Sequence, residues 1–234
     1  KMASSLKIIR KWAPHLRFLS TVSYDSQFEG LITDWVINIF LLKDKKEKPL
    51  EFYADRTKMA SPGAISERFW LYVGCNSHGC DGAEDHPIAD YVMDRPASYI
   101  YSLSLLAANV GATGVLYYDS VYGYTSVLDT PWIDSFQFTG YGEGNLFYPC
   151  SPALCGINEN LPLASLRLST IRDSLEIAHL LAEAKKKGLN NAELRPILSQ
   201  AKETVTSFDR FSFNIQPYLK LKEQLLSYLD QYRN

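Results

Sequence analysis

Several features that would assign a function class at once are missing from the sequence. No apolar run approaches the ~18 uninterrupted residues of a membrane-spanning helix, so no membrane span is predicted. The 24 lysines and arginines are balanced by 26 aspartates and glutamates, and the formal net charge is −2. Because the basic residues form no long run, we also expect no nucleic-acid-binding surface.

The start of the chain lacks the apolar core and the cleavage site of a signal peptide. The first residues, KMASSLKIIRKWAP, have the period of an amphipathic helix, with Leu6, Ile9 and Trp12 on one face. This pattern is typical of a helix that begins before the first residue of this chain. We therefore expect the chain to be cut from a longer protein and to have the N-terminal half of that parent chain as a partner.

Apolar residues and tyrosines, in contrast, are abundant. The chain has 234 residues, 46% of them hydrophobic, which suffices for one sizeable core or two small ones. It contains 15 tyrosines. Tyrosine is common in ordinary cores, but its ring also packs on sugar C–H groups while its hydroxyl forms hydrogen bonds, as in sugar-binding clefts.

The order of the predicted elements indicates an α/β fold. Apolar, β-branched and aromatic segments predict strands at residues 16–23, 31–42, 68–75 and 113–120. Helical periodicity predicts helices at residues 2–13, 50–59, 97–111, 165–188, 192–207 and 216–232. Residues 121–162 are predicted to be a long loop, of the kind that is functional or contains small elements of its own.

Strands that alternate with helices predict a parallel sheet. A closed (β/α)8 barrel has eight strands and about 250 residues. We therefore predict the C-terminal half of a TIM barrel, with about four parallel strands and extra C-terminal helices. Residues 1–187 are assigned to the partial barrel and residues 188–234 to a C-terminal helical extension.

The four cysteines form two pairs of the same spacing, Cys75/Cys80 and Cys150/Cys155. Loop disulfides are the favoured interpretation, although four cysteines allow three pairings. They would place the protein in an oxidising compartment, that is, secreted, periplasmic or lysosomal-type. Other possible zinc ligands lie near the first pair, namely His78, Asp81, Asp85 and His86. The spacing fits no standard zinc signature, so we predict no metal and no cofactor.

A set of short motifs resembles those of glycoside hydrolase family 123. TDWVIN, FWLYVGC and GVLYY are similar to strands of that family, and GEGNLFYP with LPLASLRLSTIRDSLE is similar to its C-terminal signature. The signature positions are Gly142, Glu143, Gly144, Leu146, Tyr148, Pro149, Ser165, Arg167, Leu168, Arg172, Asp173 and Glu176. The motifs together cover roughly residues 1–187. Tyr118 stands where the family has tryptophan, and Cys150 where it has glycine.

The resemblance implies a (β/α)8 barrel, preceded by a β-sandwich, that hydrolyses terminal β-linked N-acetylgalactosamine. It implies a substrate-assisted mechanism, in which the acetamido oxygen of the sugar attacks the anomeric carbon. An adjacent Asp–Glu pair at the end of barrel strand four would orient the acetamide and act as general acid. No strand-end Asp–Glu dipeptide occurs in this chain. We therefore predict no catalytic residue here and expect the chain to supply cleft walls to a carbohydrate substrate or ligand.

Two other hypotheses stay open. The departures from the family motifs favour a non-catalytic carbohydrate-binding or scaffolding protein with a degenerate glycosidase fold. An unrelated α/β domain with chance motif matches is the third hypothesis. An Asp–Glu pair just before Lys1 in the parent chain would discriminate the first hypothesis from the second.

Candidate sugar-contacting residues follow the predicted strands, because barrel sites lie at the carboxyl ends of strands. They are Asn38, Tyr72, Tyr118, Asp119, Tyr122 and Tyr148. Structural alternatives are a core position for Tyr118, a solvated loop for Asp119 and turn capping for Asn38. Tyr148 is also expected to pack its loop onto the barrel.

Four other side chains are predicted to be structural. Arg167 and Arg172 are expected to pair with carboxylates. Trp35 and Trp70 lie in strand-like apolar segments and are expected in the core.

Overall fold

The computed structural model describes residues 2–43, 45–59, 65–74, 86–122, 131–137, 139–188 and 192–231. The chain divides into two compact units. Unit 1 comprises Lys1–Tyr72 and Val110–Leu116, and unit 2 comprises Val73–Asn109 and Tyr117–Asn234. Each unit consists of two stretches of chain, because the chain leaves unit 1 after residue 72 and returns to it at residue 110.

A four-stranded sheet contains the strands β1 (Leu19–Ser20), β2 (Asp34–Asn38), β3 (Arg68–Val73) and β4 (Val115–Tyr117), in that order. Strands β1 and β3 both pair with β2 in parallel. The helices of unit 1 are α1 (Met2–Trp12), α2 (Ile39–Lys43) and α3 (Leu50–Arg56), with a 3-10 turn at Ser26–Phe28. The predicted α/β fold with about four parallel strands is therefore confirmed.

The second strand is shorter than the sequence predicts. It ends at Asn38, and residues 39–43 are helical instead of extended. The side-chain oxygen of Asn38 accepts a hydrogen bond from the Phe40 N–H at 2.9 Å, which starts the helical turn. The first strand is also shorter than predicted, since only Leu19 and Ser20 pair with β2.

Buried side chains of the strands form much of the core of unit 1. Four of the five residues of β2 are buried, as expected for a strand that is covered on both faces of a parallel sheet. Trp35 is almost completely buried, and its indole N–H donates to Glu67 at 3.1 Å, so its predicted core position is confirmed. Trp70 is half-buried.

A buried carboxylate marks the amino end of β2. The Asp34 oxygens accept hydrogen bonds from Nε of Arg17 and from Nε of Arg68, both at 2.8 Å. The Thr33 hydroxyl donates to the same carboxylate at 2.8 Å. Burial alone would raise the pKa of Asp34, but these hydrogen bonds outweigh it and lower the pKa below its ordinary value. The ionised form of Asp34 therefore stabilises unit 1.

Unit 2 is built mainly from helices. They are α4 (Ser98–Val110), α5 (Pro152–Cys155), α6 (Leu166–Gly188), α7 (Leu194–Thr204) and α8 (Gln216–Asp230). Helix α8 packs against both α6 and α7 through fully buried leucines such as Leu181, Leu194 and Leu225. Helix α7 ends three residues before its predicted end, because the chain becomes extended at Val205. It then forms a hairpin of β9 (Val205–Ser207) and β10 (Arg210–Phe211). The predicted domain boundary after residue 187 stays a prediction.

The predicted long loop does contain small elements of its own. Antiparallel pairs form between β5 (Phe136–Gln137) and β6 (Gly140–Tyr141), and between β7 (Phe147–Cys150) and β8 (Leu161–Ala164). The short helix α5 lies between β7 and β8. None of the helices in the described part of the chain is long and apolar enough to cross a membrane.

Candidate functional site

The segment Gly142–Asn145 forms a tight turn in unit 2 that only glycine permits at two of its positions. Gly142 and Gly144 have φ values of 76° and 68°, in the left-handed region that favours glycine. A Cβ atom on Gly142 would lie 2.6 Å from Cγ of Met93 and 2.7 Å from Cζ of Arg167. The turn therefore has neither the backbone freedom nor the space for another residue at Gly142.

Arg167, at the start of α6, holds this turn in place. Its guanidinium donates to the main-chain carbonyl of Tyr91 at 2.7 Å and to that of Gly142 at 2.6 Å. A third hydrogen bond goes to the carbonyl of Asn145. The sequence predicts that Arg167 pairs with carboxylates, whereas these three hydrogen bonds go to main-chain carbonyls. A buried guanidinium with three carbonyl acceptors fixes the turn to the segment around Tyr91.

Fully buried polar side chains surround the turn. Glu143 lies between the two glycines and is completely buried, as are Asn145 and Asp90. The Gly144 N–H donates to the Tyr117 hydroxyl at 2.8 Å, and the rings of Tyr91 and Tyr117 are 5.3 Å apart. Tyr117 is the last residue of β4, so this polar cluster lies at the carboxyl end of that strand.

The ionisation of the tyrosines reflects this environment. Burial, followed by the charges of Glu143 and Asp90, raises the pKa of Tyr117 far above its ordinary value. Burial and the charge of Asp90 also raise the pKa of Tyr91, against a hydrogen bond with Ser104 that lowers it. Both phenols are therefore neutral hydrogen-bonding groups at every physiological pH.

Asn145 has a buried side-chain oxygen that lacks a donor in the described part of the chain. Its side-chain Oδ1 is buried and has no hydrogen-bond partner among the described residues. Its Nδ2 donates to the Glu143 carbonyl at 3.4 Å. A buried acceptor without a protein donor costs free energy unless a water molecule, an ion or a ligand satisfies it.

Three predicted site residues share one turn directly after β4. The Asp119 Oδ1 accepts hydrogen bonds from the N–H groups of Val121 and Tyr122, at 2.8 and 2.6 Å. Tyr118 is 47% exposed, and its ring lies 6.2 Å from that of Tyr122. The Tyr118–Asp119 peptide bond is cis. The exposed Tyr118 ring is therefore not packed in a core, and Asp119 shapes the turn that presents it.

The same turn is joined to the glycine turn. Val121 forms an antiparallel bridge with Asn145. The N–H groups of Leu146 and Phe147 both donate to the Ser120 carbonyl, at 2.9 and 3.3 Å. Tyr118, Asp119 and Tyr122 thus belong to one hydrogen-bonded structure with the buried polar cluster.

Two predicted site residues, Asn38 and Tyr72, belong to unit 1. The parallel register of β2 and β3 places them opposite each other at the carboxyl ends of these strands. The side-chain oxygen of Asn38 caps the turn to α2 through its hydrogen bond with Phe40, which is the structural role considered for it. A sugar contact for either residue stays a prediction.

Tyr148 lies on β7 and touches two side chains that the sequence does not single out. Its hydroxyl donates to the sulfur of Met93 at 3.4 Å. Its ring centroid is 4.8 Å from that of Trp132. Tyr148 therefore packs against Trp132 of the loop region and against Met93 outside it. Its expected packing onto the barrel and its contact with substrate both stay predictions.

One of the two predicted disulfides is present in the described part of the chain. Cys150 and Cys155 are bonded, with an S–S distance of 2.06 Å. Cys75 and Cys80 lie outside the described residues, as do His78, Asp81 and Asp85. Among the described residues, no group of three or more histidine, cysteine, aspartate and glutamate side chains could hold a metal ion.

Comparison with known proteins gives a structural match but no sequence match. No protein-family model and no curated protein sequence matches the chain. Among solved structures, the chain is similar to a family 123 glycoside hydrolase from Clostridium perfringens, which is described as hydrolysing glycolipid glycans. The TM-score is 0.60, the sequence identity is 12%, and the match covers 99% of this chain. The chain spans 39% of that enzyme's length. The predicted resemblance to a family 123 glycoside hydrolase is thus confirmed at the level of the fold.

Proposed function

We propose that this chain forms the C-terminal half of a glycoside hydrolase barrel and supplies walls of a cleft for β-linked N-acetylhexosamine, in particular N-acetylgalactosamine. The observation that carries the proposal is the match of 99% of the chain to part of a family 123 glycoside hydrolase. The glycine turn supports it, since a signature motif found in the sequence lies at the carboxyl end of β4. Barrel enzymes bind their substrates at that end of the strands.

The residues of unit 2 would act by binding and orientation. The exposed face of Tyr118 would pack on the C–H groups of the sugar ring, while Asp119 keeps the turn that presents it. Arg167 would hold the glycine turn as a rigid edge of the cleft. Asn145 would accept a hydroxyl hydrogen bond after a small local movement.

The chemical step in this proposal is substrate-assisted. The acetamido oxygen of the sugar attacks the anomeric carbon, and a general acid protonates the oxygen of the leaving group. The Asp–Glu pair for this step would come from the N-terminal half of the parent chain, which is the proposed partner. This chain would exclude water from the cleft and align the sugar.

A non-catalytic carbohydrate-binding or scaffolding role is the second candidate. It is favoured by the departures from the family motifs, such as the tyrosine at position 118 where the family has tryptophan. In both proposals the protein works in an oxidising compartment, in agreement with the Cys150–Cys155 disulfide.

Hydrolysis of a panel of aryl glycosides, led by aryl β-N-acetylgalactosaminide, tests the proposal. The chain would be assayed alone and extended by the sequence that precedes it in its parent protein. We expect turnover by the extended protein and no turnover by the unextended chain. Turnover by neither protein, with sugar binding retained, would favour the non-catalytic role. Folded proteins that neither cleave nor bind any sugar of the panel would overturn both proposals.

A further inference from the structure

Five aromatic and thioether side chains of unit 2 are connected by ring contacts and hydrogen bonds, and four of them are exposed. Of the five, only Tyr148 is among the sugar contacts considered above. The five side chains are those of Trp132, Tyr148, Met93, Tyr141 and Phe136, which we call the aromatic strip. The ring of Trp132 contacts that of Tyr148, whose hydroxyl donates to Met93. The Met93 N–H donates to the Tyr141 carbonyl at 2.8 Å, and the rings of Tyr141 and Phe136 are 5.2 Å apart.

The strip is displayed to solvent. Trp132 is 51% exposed and Tyr141 is 50% exposed, while Met93 and Phe136 are each 45% exposed. Exposed apolar residues that cluster in this way are typical of binding sites, whereas singly scattered ones are ordinary surface.

The ring at one end of the strip is held in a fixed orientation. The indole N–H of Trp132 donates to the Pro149 carbonyl at 2.6 Å. Pro149 lies on β7, one residue after Tyr148 and one before Cys150, which is fixed by its disulfide. Because its only polar atom is engaged, Trp132 presents an apolar face whose orientation does not have to be fixed upon binding.

A carboxylate accompanies the rings. Asp134 follows Trp132 by two residues and is exposed. Its Oδ1 accepts the Phe136 N–H at 2.8 Å, which fixes the carboxylate beside the strip. An aromatic face with a neighbouring hydroxyl acceptor suits a sugar ring, which is apolar on its C–H face and polar at its rim. The same carboxylate disfavours an anionic lipid surface.

We infer that the aromatic strip binds sugar residues of an oligosaccharide beyond the terminal residue held in the proposed cleft. The inference deepens the proposed function and rests on it for the class of ligand. The strip is connected to the cleft through Met93, which contacts Gly142 of the glycine turn. A glycan that fills the cleft would therefore be able to continue along the strip.

Titration of the protein with two ligands tests this inference. The ligands are N-acetylgalactosamine and a tetrasaccharide that ends in β-linked N-acetylgalactosamine. Trp132→Ala is expected to weaken tetrasaccharide binding about tenfold and to leave monosaccharide binding unchanged. Trp132→Phe keeps a flat apolar ring and is expected to retain most of the tetrasaccharide affinity.

Trp12→Ala is the matched control, because Trp12 is 80% exposed on α1 of unit 1 and is not part of the strip. This variant is expected to bind both ligands like the unmodified protein. Equal losses for both ligands in Trp132→Ala, or no loss for either, would overturn the inference. Self-association that disappears in Trp132→Ala would also overturn it, since the strip would then contact a second copy.

Hydrolysis of the aryl glycoside, measured on the same variants of the extended protein, separates this inference from the proposed function. Tetrasaccharide binding that depends on Trp132, in an extended protein that does not hydrolyse the glycoside, would support the role of the strip and contradict the proposed enzyme activity. Hydrolysis together with tetrasaccharide binding that is independent of Trp132 would support the enzyme and disprove the strip.

Discussion

Asp34 in unit 1 and Arg167 in unit 2 are both buried charged residues, but their partners differ in kind. Asp34 receives hydrogen bonds from two arginines and a threonine, so its charge is neutralised by side chains. Arg167 donates to three main-chain carbonyls, and so it fixes the course of the backbone. The first arrangement stabilises a strand end, whereas the second shapes a turn.

The difference indicates where function lies. A carboxylate that two arginines already neutralise has little left to offer a ligand. The region around Arg167 combines a glycine turn without space for a side chain, buried carboxylates and neutral phenols. Such costly local features are retained where a site requires them. These features support the proposal that sugar binds at the Arg167 region, and the contacts of Asp34 are those of a structural residue.

Replacement of Arg167 by lysine is expected to have the largest effect. Lysine keeps the charge but cannot donate to three carbonyls in fixed directions, so buried acceptors lose their donors. We expect a loss of about 3 kcal/mol in the free energy of unfolding, measured by urea denaturation. Arg172→Lys is the control, since Arg172 is exposed and pairs only with acidic neighbours on its own helix among the described contacts. A loss in Arg167→Lys no larger than that in the control would contradict the assigned role.

Gly142→Ala is expected to have the next largest effect. Alanine at this φ costs about 1 kcal/mol, and its Cβ would also collide with the immobilised Arg167 guanidinium, for about 2 kcal/mol in total. Gly156→Ala isolates the collision, because Gly156 has a φ of 68° and no atom within 4 Å of the added Cβ. Equal losses of stability in the two variants would show that the space around Gly142 is not restricted.

Asp34→Asn is expected to cost about 1–2 kcal/mol at neutral pH, and the loss should depend on pH. The pKa of folded Asp34 lies below the ordinary value of 3.8, so its ionised form stabilises the protein above that value. This contribution is lost as the pH falls through 3.8 towards the lowered pKa. The stability difference between the two proteins should therefore shrink from pH 6 to pH 3 in denaturation experiments. A difference that is constant over this range would disprove the ionic account of the Asp34 region.

Tyr118→Ala is expected to have the smallest effect on stability, below about 0.5 kcal/mol, because the residue is 47% exposed and not part of a core. Its expected effect on function is larger, with a sugar affinity reduced about tenfold in calorimetric titration. Tyr72→Ala tests the predicted aromatic contact of unit 1 in the same experiment. An unchanged sugar affinity in Tyr118→Ala would show that Tyr118 does not contact the sugar.

The sequence predicts the four strands and the parallel fold well, because buried β-branched segments and amphipathic helices have distinct periods. It misplaces the ends of β2 and α7, where a side-chain cap at Asn38 and an extended Val205 decide the boundary. Capping and hairpin formation depend on a few atoms, to which hydrophobic periodicity is insensitive.

Only part of the candidate site can be predicted from the sequence. The paired glycines around Glu143 mark the turn, and the tyrosines after β4 mark an exposed surface. Asp90 and Trp132 are missed, because neither lies at the end of a predicted strand. Arg167 is identified as a signature residue, but its carbonyl acceptors lie 22 to 76 positions away in the chain. Only the folded structure brings them together.

Amide chemical-shift mapping during titration with N-acetylgalactosamine is the most direct test of the central claim that the Arg167 region forms a sugar-binding wall. We predict saturable shifts at Tyr118–Tyr122 and Gly142–Asn145, with unchanged amides around Asp34. Shifts that are absent, or that centre on the Asp34 region, would contradict this account.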